Sequence, residues 1–145
     1  MAKSVFWIFI ILLASCNSIV SGEQLNASDI DRIRKLGLLD SNETIIKFYS
    51  NDRMNTAGNF FTYKRFGKYW LNSKGLEEKM EVHYAFYEDV ASIDTIYYCG
   101  ATYSPYMLIT KKDGSDFKVC FSGSRDKLTA TFNEGIRRWK LKQQQ

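Results

Sequence analysis

Residues 106–122 read YMLITKKDGSDFKVCFS, two runs of alternating apolar and polar side chains around Asp113 and Gly114. Alternation at period two marks a half-buried strand, and Asp-Gly between two such runs marks a tight hairpin. The expected connection is a type I′ turn, in which both central residues take positive φ. That turn sets a register. Lys112 faces Ser115, Thr110 faces Phe117, Leu108 faces Val119 and Met107 faces Cys120, so Leu108, Phe117 and Val119 share one face. A chain whose clearest local signal is such a hairpin is expected to be mainly β and antiparallel.

The flanking segments extend this reading. Behind the hairpin, SRDKLTATFNEGIRRWKLKQQQ carries Leu128, Phe132, Ile136 and Trp139 at helical spacing, with Ser124 as N-cap and Asp126 in the first turn. Ahead of it, residues 79–100, KMEVHYAFYEDVASIDTIYYCG, read as two strands broken near Glu88 and Asp89. NFFTYKRFGKYWLNSKG reads as one long strand from Asn59 with a bulge at Gly67 and a turn at 72–75. ETIIKFYS is a first strand, and SDIDRIRKLGLLD a short helix from about Asp29 to Leu36, capped by Ser28 and stopped at Gly37. The chain is long enough for one domain and too short for two, so a single core is expected.

The first residues, MAKSVFWIFIILLASCNSIVSGEQ, place Lys3 before an apolar run from Val5 to Leu13. That run is too short for a membrane span, which needs roughly 20 residues. It fits a secretory signal, and two cuts are open. One follows Gly22 and leaves Glu23 first. The other precedes Cys16, where Leu13, Ala14, Ser15 and Cys16 resemble the lipobox of bacterial lipoproteins. That resemblance implies a lipid on the Cys16 thiol, a signal peptide over 1–15, a polar tether over 16–27 and a domain over 28–145. Asn17 stands where an enteric retention signal has Asp, which implies an outer-membrane lipoprotein facing the periplasm.

Three cysteines are an odd number for an exported chain. Lipidation of Cys16 accounts for one and leaves Cys99 and Cys120 as a candidate disulfide pair. In a simple meander, however, those two lie two strand spacings apart, roughly 9–10 Å, beyond the limit of about 7 Å for a bridge.

The hairpin, the stretches FTYKR (61–65) and FYEDVASID (86–94), and the last helix through Trp139 together resemble the bacterial pleckstrin-homology-like (PH-like) domains. The likeness spans about residues 44–141. It implies an α+β, mainly β fold: a bent antiparallel sheet or partly open barrel of six or seven strands, two sheets in all, with a C-terminal capping helix and no invariant catalytic residue. The short N-terminal helix and the export signal depart from it.

Chemistry is sparse. His83 is the one histidine, so any histidine-based triad or metal site would rest on it, and it is expected to be structural. Glu88 with Asp89, and Glu77 with Glu78, read as solvated turns, because strand neighbours point apart. There is no Gly-rich phosphate loop and no CxxC, so no cofactor is implied. Asn26 with Ser28, and Asn42 with Thr44, match the glycosylation triplet, which has meaning only in a eukaryotic host. Lys and Arg number 20 against 16 Asp and Glu, too small an excess to argue for nucleic acid. Lys64, Arg65 and Lys68 are candidates for a basic headgroup site, with a solvated basic strand edge preferred.

The expected function is therefore a non-catalytic, lipid-anchored envelope protein that binds another envelope protein, as accessory subunit or inhibitor, through an exposed strand edge. The alternative is a soluble carrier of a small ligand, with an aromatic interior drawn from Phe60, Tyr63, Tyr69, Trp70, Tyr84 and Tyr97.

Overall fold

The computed structural model describes residues 18–71, 80–98, 100 and 103–145. Helix α1 (Ala27–Lys35) precedes seven strands: β1 (Ile45–Tyr49), β2 (Ala57–Thr62), β3 (Arg65–Leu71), β4 (Met80–Phe86), β5 (Val90–Ile96), β6 (Tyr106–Lys111) and β7 (Asp116–Cys120). Helix α2 (Arg125–Gln143) closes the chain. All pairings are antiparallel, in one sheet of order β1-β2-β3-β4 and a second of order β5-β6-β7. The α+β, mainly β class, the two sheets and both helices are as expected. The chain passes between sheets in a 3-10 turn, Tyr87–Asp89, where the break near Glu88 and Asp89 was read.

The β6–β7 hairpin forms, but one residue out of the expected register. Met107 pairs with Val119, Ile109 with Phe117 and Tyr106 with Cys120. The cause is the turn. Gly114 alone takes positive φ, at 89°, and Asp113 does not follow it, so the type I′ geometry is absent. Lys111 N–H donates to the Ser115 carbonyl at 2.8 Å, and Gly114 N–H to the Lys111 carbonyl at 3.0 Å, which closes a three-residue loop ending in a left-handed glycine. The Asp113 carboxylate fixes this choice by accepting the Ser115 N–H at 2.9 Å and hydroxyl at 2.5 Å. A one-residue shift exchanges the faces of a strand. Met107, Ile109, Phe117 and Val119 are consequently buried, while Leu108 turns to the other face, opposite Lys118.

The segment expected to be one strand from Asn59 is a hairpin, and its break falls at Tyr63-Lys64. Phe61 pairs with Phe66 across it. Neither turn residue is glycine, asparagine or aspartate. The Thr62 hydroxyl holds the turn instead, accepting from Lys64 N–H at 2.9 Å and Arg65 N–H at 3.1 Å. Gly67 is an ordinary strand position opposite Phe60, whose ring would stand 2.3 Å from a Cβ added there. The turn expected at 72–75 lies outside the described residues.

Helix α1 begins earlier than expected, because its cap is Asn26, whose side chain accepts from Asp29 N–H at 2.9 Å; Ser28 is already inside the helix. It ends at Gly37, φ 76°, in a Schellman pattern: Leu38 N–H bonds to the Ile33 carbonyl and Gly37 N–H to that of Arg34. Ser124 caps α2 as read, accepting from Lys127 N–H at 3.3 Å.

The single expected core is instead two apolar clusters on opposite faces of the first sheet. Phe61, Phe66, Tyr87, Met107, Ile109, Val119, Phe121, Leu128 and Phe132 fill the space between the sheets and α2. Ile33, Leu38, Ile45, Phe48, Phe60 and Tyr69 fill the space under α1 and the loop that follows it. The first sheet is covered on both faces, so β2 is buried along its whole length and does not alternate. Of the α2 stripe, Leu128 and Phe132 are buried, Trp139 packs at the margin and Ile136 is half-buried; Thr131 and Gly135 complete the buried face.

Residues 18–27, assigned by the sequence to a tether, are part of the fold. Val20 forms a bridge with Phe48, N–H to carbonyl at 2.9 and 2.8 Å, and Ile19 is 4% exposed within the inter-sheet core. A 3-10 turn, Gly22–Gln24, follows with a capping box between Ser21 and Gln24. Ile19, Val20 and Leu25 are the only large apolar residues in this stretch, which therefore reads as polar.

Candidate functional site

Of the three basic candidates, Arg65 is consumed by a buried cluster and Lys64 by an exposed ion pair beside it. Arg65 is 2% exposed and grips the Glu43 carboxylate with both fork nitrogens, Nε at 2.9 Å and Nη2 at 2.6 Å. Glu43 also accepts the Thr62 hydroxyl at 2.7 Å and the Asp40 N–H at 3.0 Å, so a carboxylate 3% exposed has four donors. The guanidinium lies 4.4 Å from the Phe86 ring centroid and 5.2 Å from that of Tyr84. Lys64 bonds Asp40 at 3.2 Å, and that hydrogen bond is the main cause holding the Asp40 carboxyl below its ordinary range. Lys68 lies on β3 opposite Asn59 and His83. The three therefore form no common basic site, and the expected solvated strand edge is corrected: β3 is an inner strand, paired on both sides. Nothing in the sequence around Asn42-Glu43-Thr44 signalled the buried carboxylate.

The open feature is where the sheets part. At Cys120 the second sheet is tied to the first, because buried Asn59 accepts the Cys120 N–H at 2.9 Å. Towards the hairpin turn the sheets separate, leaving a groove of about 400 Å³ lined by Val82–Phe86 of β4, by Asp89, and by Lys111 and Ser115–Phe117 of the hairpin. Strand β4 ends the first sheet, and its second edge meets no strand among the described residues. His83 stacks on Phe117 across the groove, ring centroids 5.7 Å apart and planes 13° from parallel. Tyr84, which lines the groove, is 42% exposed.

Several contacts hold the groove's walls. Lys112 N–H donates to the Asp89 carbonyl at 2.8 Å, tying the hairpin to the crossover. Tyr87 N–H donates to the Lys64 carbonyl at 3.0 Å, and the Tyr87 hydroxyl donates to the Thr62 carbonyl. Burial pushes the Tyr87 phenol well above its ordinary range. From α2, Gln143 donates to the Tyr87 carbonyl at 2.7 Å and Trp139 to that of Val90 at 3.2 Å. The groove is thus a cleft with one strand edge that meets no strand among the described residues, an aromatic stack, two carboxylates and one ammonium. Sequence reading took His83 as structural and Asp89 as part of a solvated turn, and did not single out Val82, Lys111 or Asp116; these residues come together only where β4 meets the β6–β7 hairpin.

The remaining candidates are separate from it. Cys16 and Cys99 lie outside the described residues, and Cys120 is half-buried at the end of β7. The aromatic set does not converge: Phe60 and Tyr69 are under α1, Tyr97 packs 5.2 Å from Phe132 in the other cluster, and Tyr63 and Tyr84 are exposed. Among the described residues, no helix is long and apolar enough to cross a membrane.

No protein-family model matches the chain, and no curated protein matches it. Among solved structures, it is similar to a DUF1696 family protein with a pleckstrin-homology domain from Shewanella loihica PV-4, at 15% identity and a TM-score of 0.46, over 86% of this chain and 95% of that one.

Proposed function

We propose that this chain is a non-catalytic, lipid-anchored envelope protein that binds an extended segment of a partner protein along β4. The observation that carries the binding mode is the outer β4 edge lining a groove. A strand of seven residues, its second edge meeting no strand among the described residues, offers about 23 Å of backbone as a template for strand addition. The His83–Phe117 stack supplies an apolar contact for alternate side chains of the incoming segment. Asp89, Asp116 and Lys111 supply charge at the rim, where it sets orientation and on-rate more than affinity.

The anchor is supported by the packing of Ile19 and Val20. A cut after Gly22 would remove a buried core residue and the bridge to Phe48, whereas a cut before Cys16 leaves both in place. Two measurements test the reading. Intact mass of the protein from its host's membranes is expected to give Cys16 as the acylated N-terminus; an unmodified Glu23 would end the anchored reading. A photo-crosslinking residue at Tyr84 is expected to yield a discrete protein adduct in the envelope. Absence of that adduct, with the same residue at Leu141 on α2 as background, would end the β4 reading.

A further inference from the structure

We infer that the corner where Ile19, beside β1, meets Gly123 after β7 rests on the bilayer surface, with Tyr98, Tyr103, Arg125 and Lys127 as its contacts with phospholipid headgroups. This rests on the proposed acylation of Cys16. The residues between a lipidated Cys16 and buried Ile19 are Asn17 and Ser18, so the two Cα atoms can stand at most about 11 Å apart. A core residue this close to the acyl chains gives the domain little room to turn, so one end of it must face the lipid.

Contacts identify that end. Ile19 Cδ1 and Lys127 Cδ lie 3.8 and 3.9 Å from where a Cβ on Gly123 would stand. Phe121 N–H bonds the Pro105 carbonyl at 3.0 Å, which brings the 103–105 stretch beside the same corner. Arg125 lies 4.1 Å over the Tyr97 ring, which places the start of α2 against the end of β5. On this corner Tyr98 and Tyr103 are 88% and 74% exposed, the two most exposed large hydrophobic residues among those described. Tyrosine is enriched at headgroup level, where its ring meets acyl carbon and its hydroxyl meets water. Arg125 and Lys127 offer two cations to anionic headgroups against one carboxylate, Asp126.

The test uses the full acylated protein reconstituted into phosphatidylethanolamine–phosphatidylglycerol vesicles, with or without bromine on the upper acyl carbons. Single variants Tyr98→Trp and Tyr103→Trp are compared with Glu81→Trp on β4. The added tryptophans at 98 and 103 are expected to lose about half their emission in brominated vesicles, as an interfacial ring should, while the one at 81 keeps its emission. If the protein floats with the vesicles and neither of the first two is quenched beyond the third, the orientation is wrong and the anchor stands. If the protein carries no acyl mass and does not float, the anchored reading itself fails, and this inference with it.

Discussion

Replacing Glu43 by Gln tests whether the buried Arg65–Glu43 pair holds the groove wall. The substitution keeps the size of the side chain and leaves Arg65, whose side chain is 3% exposed, facing a neutral amide. The second anion near it, Asp40, touches Nη2 at 3.2 Å but is half exposed and already bonded to Lys64. Removing one partner of a buried pair costs about 3–5 kcal/mol, because the other is left charged and uncompensated. For a domain of this size that is a fall in melting temperature of roughly 10–25 °C. The Glu43→Leu, Arg65→Met double variant removes both charges together. It is expected to recover all but about 1–3 kcal/mol, the cost of a Thr62 hydroxyl and an Asp40 N–H that have lost their acceptor. Phe86 stacks on Arg65 and also lines the groove, so Glu43→Gln should weaken the Tyr84 crosslink as well. Calorimetry on the parent, Glu43→Gln and the double variant decides the matter. A Glu43→Gln protein that melts within about 1 kcal/mol of the parent would refute the argument that this pair is desolvated and structural.

Other consequences can be measured separately. Gly67→Ala pushes a methyl group into the Phe60 ring and should cost about 1–3 kcal/mol in urea denaturation; an unchanged midpoint would show that the ring can move aside. Tyr87→Phe removes the hydroxyl bonded to the Thr62 carbonyl and should cost about 1–3 kcal/mol by leaving a buried acceptor unpaired, read by the same method. Asp113 is held below its ordinary value of 3.8, first by the Ser115 hydroxyl and then by the Ser115 N–H. A depressed carboxyl contributes its stability above the unfolded value and loses it as pH falls through the folded one. Ser115→Ala should therefore raise the Asp113 midpoint in an NMR titration of the carboxyl carbons, and an unmoved midpoint would disprove the turn geometry. Ile19→Ala should destabilise the domain by about 2–5 kcal/mol, whereas a residue in a true tether would cost nothing.

Strand positions were legible wherever an apolar alternation stood between turn signals. They were not legible where a hydroxyl did the work of a glycine. At Thr62 the chain reverses on Tyr63-Lys64, with no positive φ and no turn dipeptide to read. At Asp113 the dipeptide was correct and the turn type was not, since one side-chain carboxylate shifted the whole register by a residue. The burial of β2 and the packing of Ile19 were hidden for another reason. Both depend on which elements cover the first sheet, a tertiary fact that no local window contains. The basic triplet failed similarly: Arg65 reads as a surface charge until Glu43, distant in sequence, is seen to face it.

The anchor and the groove also constrain one another. Strand β7 runs from Asp116, at the mouth of the groove, to Cys120, next to the corner that holds Ile19, and five strand residues cover about 16 Å. On the proposed anchoring, a lipid attached two residues before Ser18 would sit at the Cys120 end. The groove opens at the other end, where the hairpin tip meets Asp89. On the proposed anchoring, the domain therefore stands with its second sheet upright on the bilayer and presents the outer β4 edge away from it. A partner strand could then reach the groove from the aqueous side without displacing the tyrosines from the headgroups. Had the N-terminus entered beside the hairpin tip instead, the bilayer would have occluded that edge, and the two halves of the proposal would have excluded each other.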